Sequence, residues 1–359
     1  MERVSAAELA AYAGAAEYVL LADRDDGTVV RCGDVVAKAH AGDSDPDALA
    51  VRIRVAGDPA LAGVLLPPLR AGLGLVGSRP VSLWPYGAPV APDRPEEAPW
   101  EPAAELLAAL HRTPLHHLPY PLPPMRGPAK LARALHRLDA AHPPGARVRT
   151  TAAQDHPSGP APSAAGEGPA ERPSAGGASG RTAARIPGRP AGDVDPEAAR
   201  MAWLVRAAAA TLPGWARGEG PPPSGGALCH GDLHLGQLVR GPAGGWRLID
   251  VDDLGLGTPA WDLARPAAWY AAGLLDGGTW LRFLDTYRAA GGPAAGPAGS
   301  DPWPELDLAA RALTVQTAAL ALAKAARERR RLDDVERLMV EACARIASLP
   351  PDLEPKAPS

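Results

Sequence analysis

Cysteine is nearly absent from this chain of 359 residues. Its three copies, Cys32, Cys229 and Cys343, are odd in number and far apart, which argues against a disulfide frame or a cysteine-based zinc site. Lysine is scarce as well: Lys38, Lys130, Lys324 and Lys356 are the only four among 37 basic residues, and arginine supplies the rest. No basic tract occurs and the net charge is −4, so the electrostatic footprint that nucleic acid or an anionic membrane requires is missing. No long apolar run stands out, and no membrane association is expected. The start, Met1-Glu2-Arg3-Val4-Ser5, lacks the basic-then-apolar pattern of a secretion signal, so cytoplasmic residence is the default expectation. A hydrophobic share of 46% over this length suffices for a full core in one large domain or two lobes. Monomer and dimer are both left open.

What is present concentrates in one stretch, Cys229-His230-Gly231-Asp232-Leu233-His234-Leu235-Gly236-Gln237-Leu238-Val239, followed by Trp246-Arg247-Leu248-Ile249-Asp250-Val251-Asp252-Asp253. Each half sets polar residues directly after a short apolar run that reads as a strand, Ala227 to Cys229 and Trp246 to Ile249. Polar side chains on loops held by a rigid sheet are where chemistry is usually done. Asp232 and Gln237 are five apart and Asp250 follows about a dozen residues later. That spacing is close to a kinase catalytic loop, where one Asp takes the hydroxyl proton, an amide binds magnesium, and a second Asp binds it again.

The preceding chain reads as a small sheet with two helices. Ser5 to Tyr18 is predicted helical, with Ser5 and Glu8 spaced as a capping box. Three strands follow at Tyr18–Ala22, Gly27–Arg31 and Asp34–Ala39, separated by turn residues. Asp45-Pro46 starts a helix to about Ala56, Asp as cap and Pro in the first turn. Val64–Pro67 and Pro80–Trp84 are further strand candidates, the second running into Pro85-Tyr86-Gly87. Helices are expected from Glu101 to Arg112 and from Ala129 to Ala141, with His111 a satisfied core or cap residue. Residues 143–193 are almost all Ala, Gly, Pro, Ser, Thr and Arg, with Val148 and Ile186 the only larger aliphatics, and are expected to be disordered. Helicity resumes at Asp195-Pro196 and dominates after Asp262, including a long run from Pro304 to Ala347. The charges of Glu328 to Arg331, Asp333 and Asp334 are expected on a solvated helix face.

His230-Gly231-Asp232 with Gln237 in place of a final Asn, and Gly257-Thr258-Pro259-Ala260-Trp261-Asp262-Leu263-Ala264 with Thr258 in place of an Asp, resemble the aminoglycoside phosphotransferase family within the protein-kinase-like fold. The form H-G-D-x-H-x-G-Q is most similar to its maltokinases and glucosamine kinases. The resemblance implies an α+β bilobal fold, with a small antiparallel-sheet N-lobe and a mainly helical C-lobe. Residues 1–87 would form the nucleotide-binding lobe, 88–142 the start of the helical lobe, and 194–350 the part bearing the catalytic loop and acceptor helices. It further implies ATP and Mg2+ as cofactors, Asp232 as catalytic base, and Gln237 and Asp250 as metal ligands. Lys38, in Val35-Val36-Ala37-Lys38, would hold phosphate, and the backbone of Tyr86 or Gly87 would receive adenine. His230 and Asp262 would brace the loop. Asp252 and Asp253 are read as metal support or turn caps, Asp253 as a cap.

Two departures from the pattern are visible. The first turn, Asp23 to Gly27, lacks the Gly-rich phosphate motif. The helix from Pro46 also offers no Glu for Lys38, so Asp43, Asp45, Asp47 or no acid takes that place. The expected activity is phosphoryl transfer to a hydroxyl of a small-molecule acceptor, a sugar, aminosugar or aminoglycoside. Asp276, Asp285, Glu305, Asp307, Gln316 and Glu328 are candidate acceptor contacts. A nucleotide-binding pseudokinase is the alternative. A metal-dependent hydrolase built on His230, Asp232, His234 and Asp250 is the third reading, and it would require convergent imidazoles.

Overall fold

The computed structural model describes residues 4–24, 27–91, 93–94, 97–118, 121–144, 195–223 and 226–349. The run expected to be disordered lies outside them, except for Pro143 and Pro144.

The N-terminal lobe starts with helix α1 (Ala6–Tyr12), closed by the expected box: the Glu8 amide donates to Ser5 Oγ at 3.2 Å and the Ser5 amide to Glu8 Oε2 at 2.9 Å. The helix stops six residues short of Tyr18, because Gly14 takes a left-handed φ of 79° that ends the helical turn. Strands β1 (Val19–Arg24), β2 (Gly27–Cys32) and β3 (Val35–Ala39) form the predicted meander. A fourth and fifth strand, β4 (Gly74–Val76) and β5 (Arg79–Pro85), complete an antiparallel sheet of order β1-β2-β3-β5-β4. Its inner face packs Val30, Ala37, Ala39, Val81 and Leu83 against Leu9 and Ala10 of α1.

Helix α2 (Pro46–Ala56) has the expected bounds and cap, with Asp45 accepting from the amides of Asp47 and Ala48 at 3.0 and 3.2 Å. Its buried Leu49, Ile53 and Val55 belong to the large core of the helical lobe. The lobes therefore share apolar surface beneath the cleft. Val64–Pro67 does not join the small sheet. Leu65 forms a single parallel bridge to Leu248 and Leu66 donates to the Leu248 carbonyl at 2.9 Å. Pro67 and Pro68, which carry no N–H, end the pairing there.

The C-terminal lobe holds α3 (Trp100–His111), α4 (Gly127–Ala141), α5 (Pro196–Ala210), α6 (Ala260–Ala271), α7 (Gly277–Ala289), α8 (Trp303–Glu328) and α9 (Asp334–Ala347). The short strand β6 (Ala88–Pro89) leaves the lobe linker and pairs with β8 (Leu238–Arg240), which pairs with β9 (Trp246–Leu248). Strand β7 (Ala227–Cys229) pairs with β10 (Gly255–Gly257). These short ladders hold both motif loops side by side.

Helix α8 is shorter than the expected run from Pro304 to Ala347 and more apolar than the sequence reading allowed. Its 26 residues pass the length and hydropathy test for a membrane span, yet 67% of that window is buried inside the protein. It is the central helix of the lobe, with Leu306, Leu313, Val315 and Leu322 in the core. The expected run to Ala347 breaks at Arg329, which is left-handed at φ 54°, and Asp333 recaps α9 through a capping box with Glu336. Arg330 forks onto both Glu336 oxygens at 2.6 Å and meets Glu328 at 2.9 Å. The charges of Glu328 to Arg331, Asp333 and Asp334 are solvated as expected, all but Arg330 being exposed, but they build the α8–α9 corner and do not share one helix face.

Candidate active site

Strand β7 ends at Cys229, and the two amides that follow turn inward. The carboxylate of Asp262, only 1% exposed in the first turn of α6, accepts from the His230 amide at 2.6 Å and the Gly231 amide at 2.7 Å. Gly231 has φ 84°, and a Cβ there would lie 2.4 Å from the Asp253 carbonyl, so conformation and space both require glycine. His111 of α3 donates through Nε2 to Asp262 at 3.0 Å and accepts the Tyr287 hydroxyl at Nδ1, 2.8 Å away. The His230 ring reaches the Ile249 carbonyl at 2.7 Å and ties the second loop to the first. His111, His230 and Asp262 thus brace the site. Although His111, Cys229 and Asp262 come within 4.8 Å of one another, the first and last are spent on these hydrogen bonds. Burial holds the Cys229 thiol protonated by raising its pKa. The convergent imidazoles needed for a metal hydrolase are missing, since the His230 ring is committed to a backbone carbonyl.

The second loop begins with Asp250 in the left-handed region, φ 64° and ψ 66°, a conformation costing an L-residue about 1–2 kcal/mol. It carries Asp250, Asp252 and Asp253 in different directions. Lys38 on β3 reaches across from the other lobe, with Nζ 2.5 Å from Asp250 Oδ1 and 3.0 Å from Asp252 Oδ1. His40, two residues on, places Nδ1 3.0 Å from Asp252 Oδ2, and its Nε2 lies 2.7 Å from Ser82 Oγ. Burial alone would lower the Lys38 pKa, but the two carboxylates outweigh it and raise the value. Burial likewise opposes ionisation of Asp252, and Lys38 with His40 overcomes it, holding the carboxyl far below its usual range.

Asp232 has a different set of partners. Lys130 of α4 lies 2.7 Å from its Oδ2 and Arg265 of α6 lies 3.0 Å from its Oδ1. The same Lys130 Nζ is 2.9 Å from Asp253 Oδ2, and Arg126 Nε is 3.6 Å from Asp253 Oδ1. Asp253 is therefore an ion-pair partner of the site and not a turn cap. Burial would raise the Asp232 pKa, but Lys130 and Arg265 lower it overall. The group is an ionised acceptor that can orient a hydroxyl.

The donors present suit magnesium. The Gln237 side-chain Nε2 donates to Asp250 Oδ2 at 3.2 Å and lies 3.0 Å from His234 Nε2. The Gly236 amide donates to His234 Nδ1 at 3.0 Å, so that nitrogen bears no proton. Burial lowers the His234 pKa to about 4, so the ring is neutral. Asp250 Oδ2 can only accept, so the Gln237 atom facing it is the donating amide nitrogen. The other terminal atom of the amide is an oxygen, and with the Asp250 carboxylate it offers the hard oxygen ligands that magnesium takes. Asp250, with 37% of its side chain exposed, is open to such an ion.

Of the residues singled out in the sequence, Lys38, Gln237 and Asp250 meet directly, and Asp232 shares their loop. Tyr86 is a correction. Its amide donates to the Asp34 carbonyl at 2.7 Å, and its ring is covered by Arg31 at 3.4 Å, so its N–H is not available to adenine. Gly87 packs on β8, where a Cβ would fall 2.4 Å from Val239. No acid of α2 serves Lys38: Asp45 is spent as a cap, and Asp250 and Asp252 take the role. In α2, Arg52 instead donates to the carbonyls of Leu254 and Pro124 at 2.7 and 3.1 Å and pins the helix to the second loop. Sequence reasoning missed Lys130, Arg265 and His40. A signal for the first existed, because in a chain with four lysines two are at this site. The chain also contains no asparagine, so a Gln in the amide position is what this composition permits.

No family model matches the chain, and no curated protein is similar to it in sequence. Solved structures are similar in fold. A choline/ethanolamine kinase family protein from Mesorhizobium loti superposes with a TM-score of 0.52 at 18% identity, over 96% of this chain and 94% of that one. The aminoglycoside phosphotransferase APH(4)-Ia, as a thermostable mutant without ligand, gives 0.53 at 13% identity, over 95% and 98%. A ternary complex of that mutant with AMP-PNP and hygromycin B gives 0.52 at 12%, over 92% and 94%. The chain has the bilobal α+β, protein-kinase-like fold that these proteins share.

Proposed function

We propose that this chain is an ATP-dependent phosphotransferase that acts on a hydroxyl of a small molecule. The observation that carries this reading is the meeting of Lys38 with Asp250 at 2.5 Å across the two lobes, beside the Gln237 amide and on the loop that bears Asp232. Phosphoryl transfer is mostly positioning and charge neutralisation, and each residue has a part suited to that. Lys38 is a mobile-ended cation whose present partners are the carboxylates a metal would claim, so it is free to turn to nucleotide phosphate when they are filled. Asp250 and Gln237 would hold magnesium, which when bound would neutralise charge on the phosphate oxygens. Asp232 would accept a hydrogen bond from the acceptor hydroxyl, align it and take its proton. Lys130 and Arg265 keep Asp232 ionised, and Asp262 fixes the loop. Adenine would approach the linker at Gly87, whose backbone packs closely on Val239 of β8.

A sugar, aminosugar or aminoglycoside acceptor accords with the H-G-D-x-H-x-G-Q form. The pseudokinase alternative draws on one observation, that Lys38 bridges two carboxylates and has no partner acid on α2. Calorimetry of ATP with and without magnesium, on the wild type and Asp250→Ala, tests the reading. Tight binding is expected only for wild type with magnesium, and equal affinity in all conditions would sink the metal assignment. Binding without turnover of ATP on any acceptor would favour the pseudokinase.

A further inference from the structure

Two carboxylates meet Lys38, and the structure holds them in different ways. Alternation along β3 and β5 sends Lys38, His40, Ser82 and Trp84 to one face of the sheet, since Lys38 pairs with Ser82 across the two strands. Ala37, Ala39, Val81 and Leu83 take the other face, against α1. His40 is 0% exposed, Ser82 1% and Trp84 8%. Their polar atoms form one row that ends on Asp252. Trp84 Nε1 can only donate, and does so to Ser82 Oγ at 2.8 Å. The ionised Asp252 carboxylate can only accept, so His40 Nδ1, 3.0 Å from Oδ2, carries the hydrogen. His40 Nε2 then accepts the Ser82 hydroxyl at 2.7 Å. Each donor in the row has its acceptor, and the three side chains behind Asp252 are buried, so the carboxylate is oriented from inside the sheet.

Asp250 has no such backing. Among the described residues its Oδ2 meets the Gln237 amide alone, at 3.2 Å, and 37% of its side chain is exposed against 22% for Asp252. The remaining oxygens, Asp250 Oδ1 at 2.5 Å and Asp252 Oδ1 at 3.0 Å, both lie on Lys38 Nζ. Asp250 can therefore turn from Lys38 to a magnesium ion, which takes oxygen ligands, without disturbing a buried group. Asp252 cannot. Its Oδ2 could leave only by stranding the buried His40 donor, and its Oδ1 faces Lys38. Helix α2 supplies no substitute, because its Arg52, 4% exposed, is itself a cation and is committed to the carbonyls of Leu254 and Pro124.

On the reading of this chain as a kinase, we infer that Asp252 is the lasting carboxylate partner of Lys38, kept when Asp250 is given over to magnesium and nucleotide, and that His40, backed by Ser82 and Trp84, is the residue that positions it. The lysine ammonium has three donors. One stays on Asp252 Oδ1 and fixes the side chain, and the one released from Asp250 turns to a phosphate oxygen. The metal's claim on the pair thus falls on Asp250. The acid that α2 lacks is replaced from the second loop. Because Lys38 and His40 lie two residues apart on one strand face, the lysine and the brace of its partner belong to one rigid element. Lys38 needs no acid from α2 to be held toward the nucleotide, so the observation that favours a pseudokinase has a different account.

The test measures AMP-PNP binding to the full chain by calorimetry, with magnesium and with excess chelator, and each variant's denaturant midpoint beside it, so that binding is compared among folded proteins. Asp250→Ala is expected to lose the difference between the two conditions, and Asp252→Ala to keep it. His40→Leu should lower the affinity in magnesium about tenfold, the scale for losing a group that orients a ligand from behind. His40→Asn, whose amide can stand where Nδ1 does, should recover part of that loss. In the Asp252→Ala background, His40→Leu should cost less than about twofold more, because no carboxylate is left to position. If His40→Leu does not fold, Ser82→Ala takes its place, with a loss of about threefold that should also vanish in the Asp252→Ala background. Loss of magnesium dependence in Asp252→Ala, as in Asp250→Ala, would make Asp252 a metal ligand and overturn the inference. So would an unchanged affinity in His40→Leu, or a full tenfold loss from it in the Asp252→Ala background, the mark of a merely structural role. Failure of the kinase reading is distinguishable, since wild type would then show no magnesium-dependent binding, and the inference would fall with it.

Discussion

Asp250 and Asp252 share one lysine, and it comes from the other lobe; Asp232 and Asp253 share a lysine too, but Arg265 and Arg126 join it and all three cations belong to the helical lobe. The first pair has Lys38 as its one lysine or arginine partner for two carboxylates. Its cation stands on β3, in the sheet of the other lobe. The second pair is overcompensated by groups fixed to the same body. Equal residue types therefore acquire different surroundings: the first pair is open to a divalent cation, and the second is held ionised by cations of its own lobe. What decides the difference is the origin of the cations, not the carboxylates.

The largest effect is expected where the two halves have a common foundation. Asp262→Ala removes a buried carboxylate that satisfies two amides and His111, and His230 in turn ties the loops together. A loss of about 3–5 kcal/mol is expected, read as a shift of the denaturant midpoint, with nucleotide binding and turnover falling together. If either half kept its affinity at unchanged stability, the halves would be independent after all.

Asp232→Asn should separate them. Turnover is expected to fall about 10²-fold or more, the scale for loss of a positioned general base, while magnesium-dependent nucleotide affinity stays within about twofold because the Lys38–Asp250 half is untouched. A smaller pair of effects sharpens the contrast. Lys38→Met should weaken nucleotide binding about tenfold and spare acceptor KM, whereas Lys130→Met should do the reverse. Equal changes in both parameters for both variants would remove the distinction.

Acidity provides a further comparison. The folded pKa values of Asp252 and Asp262 lie below their unfolded value, so the stability they contribute is whole above about pH 4 and is lost as pH falls through the depressed values. Lys38 is shifted upward, so its contribution is whole below about pH 10.4 and is lost only as pH rises beyond it. Urea midpoints are expected to be flat between about pH 6.5 and pH 8.5; below that range the unfolded chain protonates histidines that His234 and His142 resist when folded, and above it the unfolded chain ionises thiols that stay protonated when folded, with a further fall below about pH 4 from the carboxylates. Asp252→Asn should lessen the acid slope; an unchanged slope would show that the Asp252 pairing adds nothing. The smallest effect is expected from excising residues 150–190 with a short Gly/Ser join. Their composition supplies little to bury, and Arg206 already fastens α5 to Asp139 and to the His142 carbonyl of α4. A melting temperature unchanged within about 2 °C is expected, and a large loss would contradict it.

Much of the fold was legible because it depends on neighbours in sequence. Ser5 and Glu8, Asp45 and Pro46, and Asp195 and Pro196 place helix starts through contacts within one turn, and the meander of β1 to β3 follows from alternation and turn residues. Where reading failed, a longer-range influence had won. Val64–Pro67 looks like a strand of the small sheet, but its partner is Leu248 in the other lobe. The stretch from Pro304 to Ala347 reads as one long helical run, yet it is two helices, and α8 is surrounded by other helices, so its buried residues run all round it. At Arg329 the chain takes a left-handed turn that no glycine announces.

The sequence by itself determined which chemistry the chain can offer: a carboxylate after β7, an amide five residues on, a carboxylate after β9, and a lysine on β3, each set at the end or in the body of an element by local pattern. Only the tertiary structure decided how those groups are charged and paired. Lys38 and Asp250 are 212 positions apart, Lys130 and Asp253 are 123, and nothing in their local surroundings encodes the meeting. Such pairs arise because the lobes and α4 pack on a common core, and a charge's effect on its neighbour depends on distance and burial in space, not on separation along the chain.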